Sequence, residues 1–134
     1  MGVKVVARRR RGYAHDVEIE GGHRLVIDEP TEAGGSNEGP SPTRAVAAAL
    51  AACTAITVEM YAERKEWELG TLEVEVEMDY EGAVPASFTV VLRLPGGFTE
   101  ERQERLRVIA GKCPVHRALS NETPVSITDR VAPA

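Results

Sequence analysis

"GPSPTRAVAAALAACTAITVEMYAERKEW", residues 39–67, reads as a long helix and carries one of the two cysteines in the chain. Ser41 offers a hydroxyl at the N-cap, and Pro42 stands at the first helical position, where a missing N–H costs nothing. From Ala45 to Cys53 every residue is apolar, so the first half of the helix is expected to be buried on all sides. Charge enters at Glu59, and the helix is predicted to end near Glu66. At helical spacing, Cys53 shares a seam with Ala49, Leu50, Ile56 and Thr57. Desolvation in such a seam raises a thiol pKa and makes the sulfur inert, so a small buried hydrophobe is one reading of Cys53.

Upstream of this helix the pattern is that of strands. Val3 and Val5 share a face, and after Gly12 so do Tyr13, His15, Val17 and Ile19; Gly21-Gly22 turns into a third strand through Leu25 and Ile27. A loop rich in Gly, Pro and acid, "EPTEAGGSNEGPSP", leads to the helix. Downstream, Leu72, Val74, Val76 and Met78 alternate with acids, and a turn through Gly82 and Pro85 returns along Phe88, Val90, Leu92 and Leu94. A second helix is predicted from about Thr99 to Gly111, a short third from Pro114, and a last strand through Val125, Ile127 and Val131. Strands in runs with helices between the runs give an α+β fold of order βββ-α-ββ-α-α-β, in a single domain over 1–134.

Composition narrows the partners. The chain has 134 residues, 43% hydrophobic and 28% charged, as in a soluble globular protein. A net charge of −5 and an aromatic content of 4% argue against nucleic acid and against an anionic membrane surface. No secretory signal is evident, and the longest wholly apolar run, nine residues from Ala45, is short for a bilayer span. A cytoplasmic location with reduced thiols is expected.

The second cysteine, Cys113, precedes Pro114 and so falls at an N-cap, where backbone N–H groups and the helix dipole are expected to favour a thiolate. If the second helix ran on, Cys113 would also extend the Leu106, Ile109, Ala110 stripe, so both sulfurs are placed on core-facing sides. They lie sixty positions apart, and only the fold can join them. Cys113 and His116 form a Cys-x-x-His pair without the further ligands of a zinc site.

"GGSNEGPSPTRAVAAALAACTAITVEMYAERKEW" and "GKCPVHRAL" together resemble the two cysteine motifs of the OsmC/Ohr family, the osmotically induced protein C and organic hydroperoxide reductase proteins. The resemblance covers nearly the whole chain: a Gly-x-Ser-Pro helix start, an apolar helix to Cys53, then Cys-Pro in the C-terminal third. It implies an intertwined homodimer in which antiparallel sheets surround two long central helices. It also implies a thiol peroxidase that uses no metal, haem or flavin. Cys53 would be the peroxidatic residue for an organic hydroperoxide and Cys113 the resolving one, with a Cys53–Cys113 disulfide reduced by a cellular dithiol such as a lipoylated protein. The family further implies an arginine from the N-terminal hairpin, for which Arg11 is favoured within the Arg8–Arg11 run, held by a glutamate at the helix start. The sequence departs there: Ser41-Pro42-Thr43-Arg44 puts an arginine where the carboxylate is expected, and Arg44 becomes a second candidate cation. The alternative within the same fold is a redox sensor or a binder of small apolar ligands that does not turn over.

Overall fold

The computed structural model describes residues 2–122 and 124–134. The elements run β1 (Val5–Arg11), β2 (Ala14–Ile19), β3 (His23–Ile27), α1 (Pro42–Arg64), β4 (Glu73–Glu81), β5 (Val84–Arg93), α2 (Glu100–Ala110) and α3 (Pro114–Leu119). They form two compact units, residues 1–48 with 78–88 and residues 49–77 with 89–134; α1 and the β4–β5 hairpin contribute to both.

In the first unit β1, β2 and β3 make an antiparallel sheet in that order, with Val5 opposite Ile19 and Val17 opposite both Ala7 and Leu25. The register shifts between Arg9 and Arg11, an irregularity beside the turn in which Gly12 takes φ 53°. The loop into α1 is built on Asp28, which is 1% exposed. Its carboxylate accepts from the backbone N–H of Glu29 (2.7 Å), Glu38 (3.1 Å) and Ser36 (3.2 Å). A Cβ at Gly35 would run into the Glu29 carbonyl, and one at Gly39 into the Val26 carbonyl, so the loop lies backbone against backbone. Ser41 is buried and caps α1, its Oγ accepting from Arg44 N at 3.4 Å.

The core of the second unit is Val58, Tyr61, Ala62, Leu69, Leu106, Ile109 and Ala110, with Trp67, Leu92 and Phe98 packed against it. In α1 the buried positions are Leu50, Thr54, Val58, Tyr61 and Ala62, one stripe at spacings of three and four. Thr54 Oγ1 donates to Leu50 O (2.8 Å), which satisfies a hydroxyl that is otherwise fully enclosed. Thr99 caps α2, its side chain accepting from Arg102 N.

Four expectations need correction. Helix α1 is not buried all round within one chain: Val46, Ile56 and Met60 are 38%, 55% and 58% exposed. Helix α1 has 23 residues and contains an 18-residue window of mean hydropathy 1.6, so it is also long and apolar enough to cross a membrane, a test that core helices pass as well. The nine-residue run understated it because it stops at Thr54, and the threonines at 54 and 57 barely lower the average. The strand through Val125, Ile127 and Val131 does not form; these residues are 62%, 82% and 100% exposed and have no secondary structure. Alternation supplies a strand's side chains but not the neighbouring edge that its N–H and C=O groups require, and no edge takes them up among the described residues. Pro85 lies inside β5 rather than in the turn, which Gly82 makes alone with Ala83; a two-stranded sheet leaves room for a proline without a broken ladder bond.

Candidate functional site

Helix α1 presents Cys53 half-buried, one position before the enclosed Thr54. Cys113 lies at the junction between α2 and α3 and is fully buried. Gly111 closes α2, and Cys113 is the N-cap of α3, its Sγ accepting from His116 N at 3.4 Å. Both cysteines are free thiols, and Cys53 lies near enough to act on the ionisation of Cys113. The structure thus brings together two residues sixty positions apart.

The N-cap geometry expected of Cys113 is present, but its electrostatic consequence is reversed. Burial pushes the Cys113 thiol above its ordinary value, and the neighbouring Cys53 pushes it the same way. The N–H groups of His116 and Val115 pull it down without offsetting these. Helix α3 has six residues, fewer than two turns, and its dipole is correspondingly weak against burial.

Arg11 and Arg44 belong to the other unit. Arg11 Nη2 pairs with Glu38 Oε1 at 2.7 Å, and Arg10 Nη1 reaches the same oxygen at 3.4 Å. Arg10 is anchored chiefly to Asp16, 2.6 Å from its Nη2, and each of that pair stabilises the charged form of the other. Arg11 also lends positive charge to Asp28. There burial favours the neutral acid but is outweighed by the N–H groups of Glu38, Glu29 and Ser36, so the carboxyl sits below its usual range. Arg44 is exposed in the first turn of α1, with no carboxylate partner among the described residues; Thr43 beside it hydrogen-bonds Tyr80 Oη at 2.7 Å.

Glu38 is the residue that sequence reasoning missed. The carboxylate was sought inside the first turn of the helix, whereas the structure supplies one from the preceding loop, three residues before Ser41. Its Oε2 is buried without a partner, and its backbone N–H is tied to Asp28. The signal in the sequence was the acidic glycine-rich loop itself. Among the described residues no group of three His, Cys, Asp or Glu side chains is arranged to hold a metal.

The OsmC-like protein family model matches residues 35–128. No curated protein matches by sequence. Among solved structures the fold is similar to that of an OsmC-like protein from Mycoplasma pneumoniae, with a TM-score of 0.72 at 16% identity over 90% of this chain and 86% of that one. It is also similar to an organic hydroperoxide resistance protein OsmC from Legionella pneumophila, with a TM-score of 0.62 at 23% identity over 88% and 90%. The organic hydroperoxide resistance protein OhrB of Bacillus subtilis gives a TM-score of 0.62 at 24% identity over 90% and 92%. The α+β order, the paired cysteines on α1 and at the start of α3, and a family match over most of the length agree: this chain belongs to the OsmC-like family.

Proposed function

We propose that the protein is a two-cysteine thiol peroxidase acting on organic hydroperoxides. The observation that carries this reading is the approach of Cys53 to Cys113, with Cys113 held as the thiol. In the proposed cycle the Cys53 thiolate attacks the distal oxygen of the hydroperoxide. The O–O bond breaks, the alkoxide leaves and takes a proton from solvent to become the alcohol, and Cys53 keeps the distal OH as a sulfenic acid. The Cys113 sulfur then attacks the sulfenic sulfur, water departs, and a disulfide forms. An external dithiol, such as a lipoylated protein, returns both to thiols. A buried, protonated Cys113 resists direct oxidation while it waits, because the thiolate is the reactive form.

Arg11, oriented by Glu38, is the cation proposed to support the Cys53 thiolate; its carboxylate partner favours it over the unpaired Arg44. Preference for organic peroxides follows from the apolar seam of α1, where an alkyl tail gains burial and hydrogen peroxide does not. The proposed assembly is a homodimer. One chain leaves Val46, Ile56 and Met60 of α1 uncovered, together with Val5, Tyr13 and Leu25 on the sheet, which is much apolar surface for a domain of this size. The proposed location is the cytoplasm.

The test is turnover of cumene hydroperoxide against hydrogen peroxide with dithiothreitol, followed by dimedone labelling and non-reducing peptide mapping. Cys53→Ser should abolish consumption, while Cys113→Ser should complete one turnover and carry the dimedone label on Cys53. Consumption at the wild-type rate by Cys53→Ser would overturn the roles. A stoichiometric disulfide without turnover would replace the peroxidase by a redox sensor of the same fold.

A further inference from the structure

A second site lies within the unit that holds the cysteines, in a cleft of about 790 Å³ lined by the end of α1, Trp67 and α2. Its volume is in the range of small-molecule pockets. Lys65, Arg102 and Arg105 all line it, and none of the three has a carboxylate partner among the described residues. Each instead rests on an aromatic ring. Arg102 Cζ lies 4.6 Å from the Trp67 centroid, while Arg105 Cζ and Lys65 Nζ lie 5.4 and 5.7 Å from that of Tyr61. The rings are themselves locked edge to face, with centroids 5.7 Å apart.

The contact with the rings leaves the outer N–H groups of both guanidiniums without partners among the described residues. Arg105 donates through Nε to Tyr61 Oη at 2.9 Å, so its terminal nitrogens stay available. The phenol that accepts this bond keeps its own O–H free to donate to a ligand. That hydrogen bond also draws the Tyr61 phenol below its ordinary value, against the effect of burial, with Arg105, Lys65 and Arg64 adding positive charge. Two acids line the cleft as well. Glu104 is taken by Arg107, at 2.6 and 2.8 Å, and Glu101 alone is left to oppose three cations. The balance is a surplus of two positive charges.

We propose that this cleft binds the dianionic head of a small phosphomonoester, held by Lys65, Arg102, Arg105 and the Tyr61 hydroxyl, with Trp67 and Val108 as its apolar wall. A dianion matches the surplus charge, and tetrahedral oxygens match the fork of a guanidinium better than a point cation alone would. The site is independent of the cysteine chemistry, so it stands or falls without reference to peroxide turnover.

Trp67 is the sole tryptophan of the chain, which makes its fluorescence a direct reporter. The probes are phenyl phosphate, inorganic phosphate and uncharged benzyl alcohol, titrated into the full-length protein at low and high sodium chloride. Phenyl phosphate should change the emission saturably, inorganic phosphate more weakly, and benzyl alcohol not at all; affinity should fall as salt rises. Arg102→Gln and Lys65→Gln are both at exposed side chains, and each should weaken phenyl phosphate about tenfold, or about 1.4 kcal/mol, with an unchanged melting temperature. An emission unaffected by phenyl phosphate, equal binding by benzyl alcohol, salt-independent binding, or undiminished affinity in both variants would each overturn the proposal.

Discussion

Glu38→Gln separates the anchoring of Arg11 from the folding of the loop. Gln keeps the length of the side chain and the backbone N–H that donates to Asp28, and removes only the charge that Arg11 and Arg10 share. Arg10 retains Asp16 at 2.6 Å, so Arg11 is the arginine set loose. The Arg11 side chain is 69% exposed and that of Glu38 20%, which places the pair with solvent-screened bridges worth about 0.2–1 kcal/mol. Stability should therefore fall by at most about 1 kcal/mol, a small shift in a urea midpoint. Turnover should respond far more. A cation misplaced by an ångström or so at a reacting centre costs about a hundredfold. The assay is kcat/KM for cumene hydroperoxide, paired with the rate of Cys53 alkylation by iodoacetamide at neutral pH in Cys113→Ser protein. Both should drop together in Glu38→Gln. Wild-type rates in both, with the loop still folded, would refute the assignment of Arg11 and turn attention to Arg44, for which Arg44→Glu is the next variant.

Leu106→Ala removes a side chain that is fully buried at the centre of the second unit and should cost about 2–5 kcal/mol by denaturant unfolding; a loss under about 1 kcal/mol would mean the core had been misassigned. Asp28 gives a pH signature. Its folded pKa lies below the unfolded value, so its stabilisation is complete above about pH 4 and disappears as pH falls through the folded pKa. Asp28→Asn should therefore flatten the acid limb of the stability curve, and an acid limb identical to that of the wild type would count against the loop anchor.

The elements that local chemistry determines were readable from the sequence. Ser41-Pro42 and Thr99 announced their helices because capping depends on neighbours along the chain. The Gly12, Gly21 and Gly82 turns were likewise local, each with positive φ. What escaped depended on distant partners. Glu38 could be matched to Arg11 only once a loop folded on Asp28 had carried it there, twenty-seven positions along the chain. Cys113 was read as a thiolate because its cap was visible and its complete enclosure was not. The tail at Val125 and Ile127 had the right alternation, yet alternation cannot say whose edge is free to receive it.

Gly35 and Gly39 lie on either side of Glu38 in the sequence, and neither has room for a single added carbon. Gly12 and Gly82, by contrast, have open space around them and are held only by their backbone angles. The two kinds of glycine age differently under mutation. A turn glycine can drift to asparagine at modest expense, since asparagine tolerates the same left-handed angles. A side chain at 39 instead levers the loop off strand β3, and one at 35 pushes it off Glu29; either displaces the segment that carries Glu38. An engineer who wants to retune this protein has freedom in the hairpins and almost none between them and the cysteine helix, where the smallest residues hold the tightest tolerance.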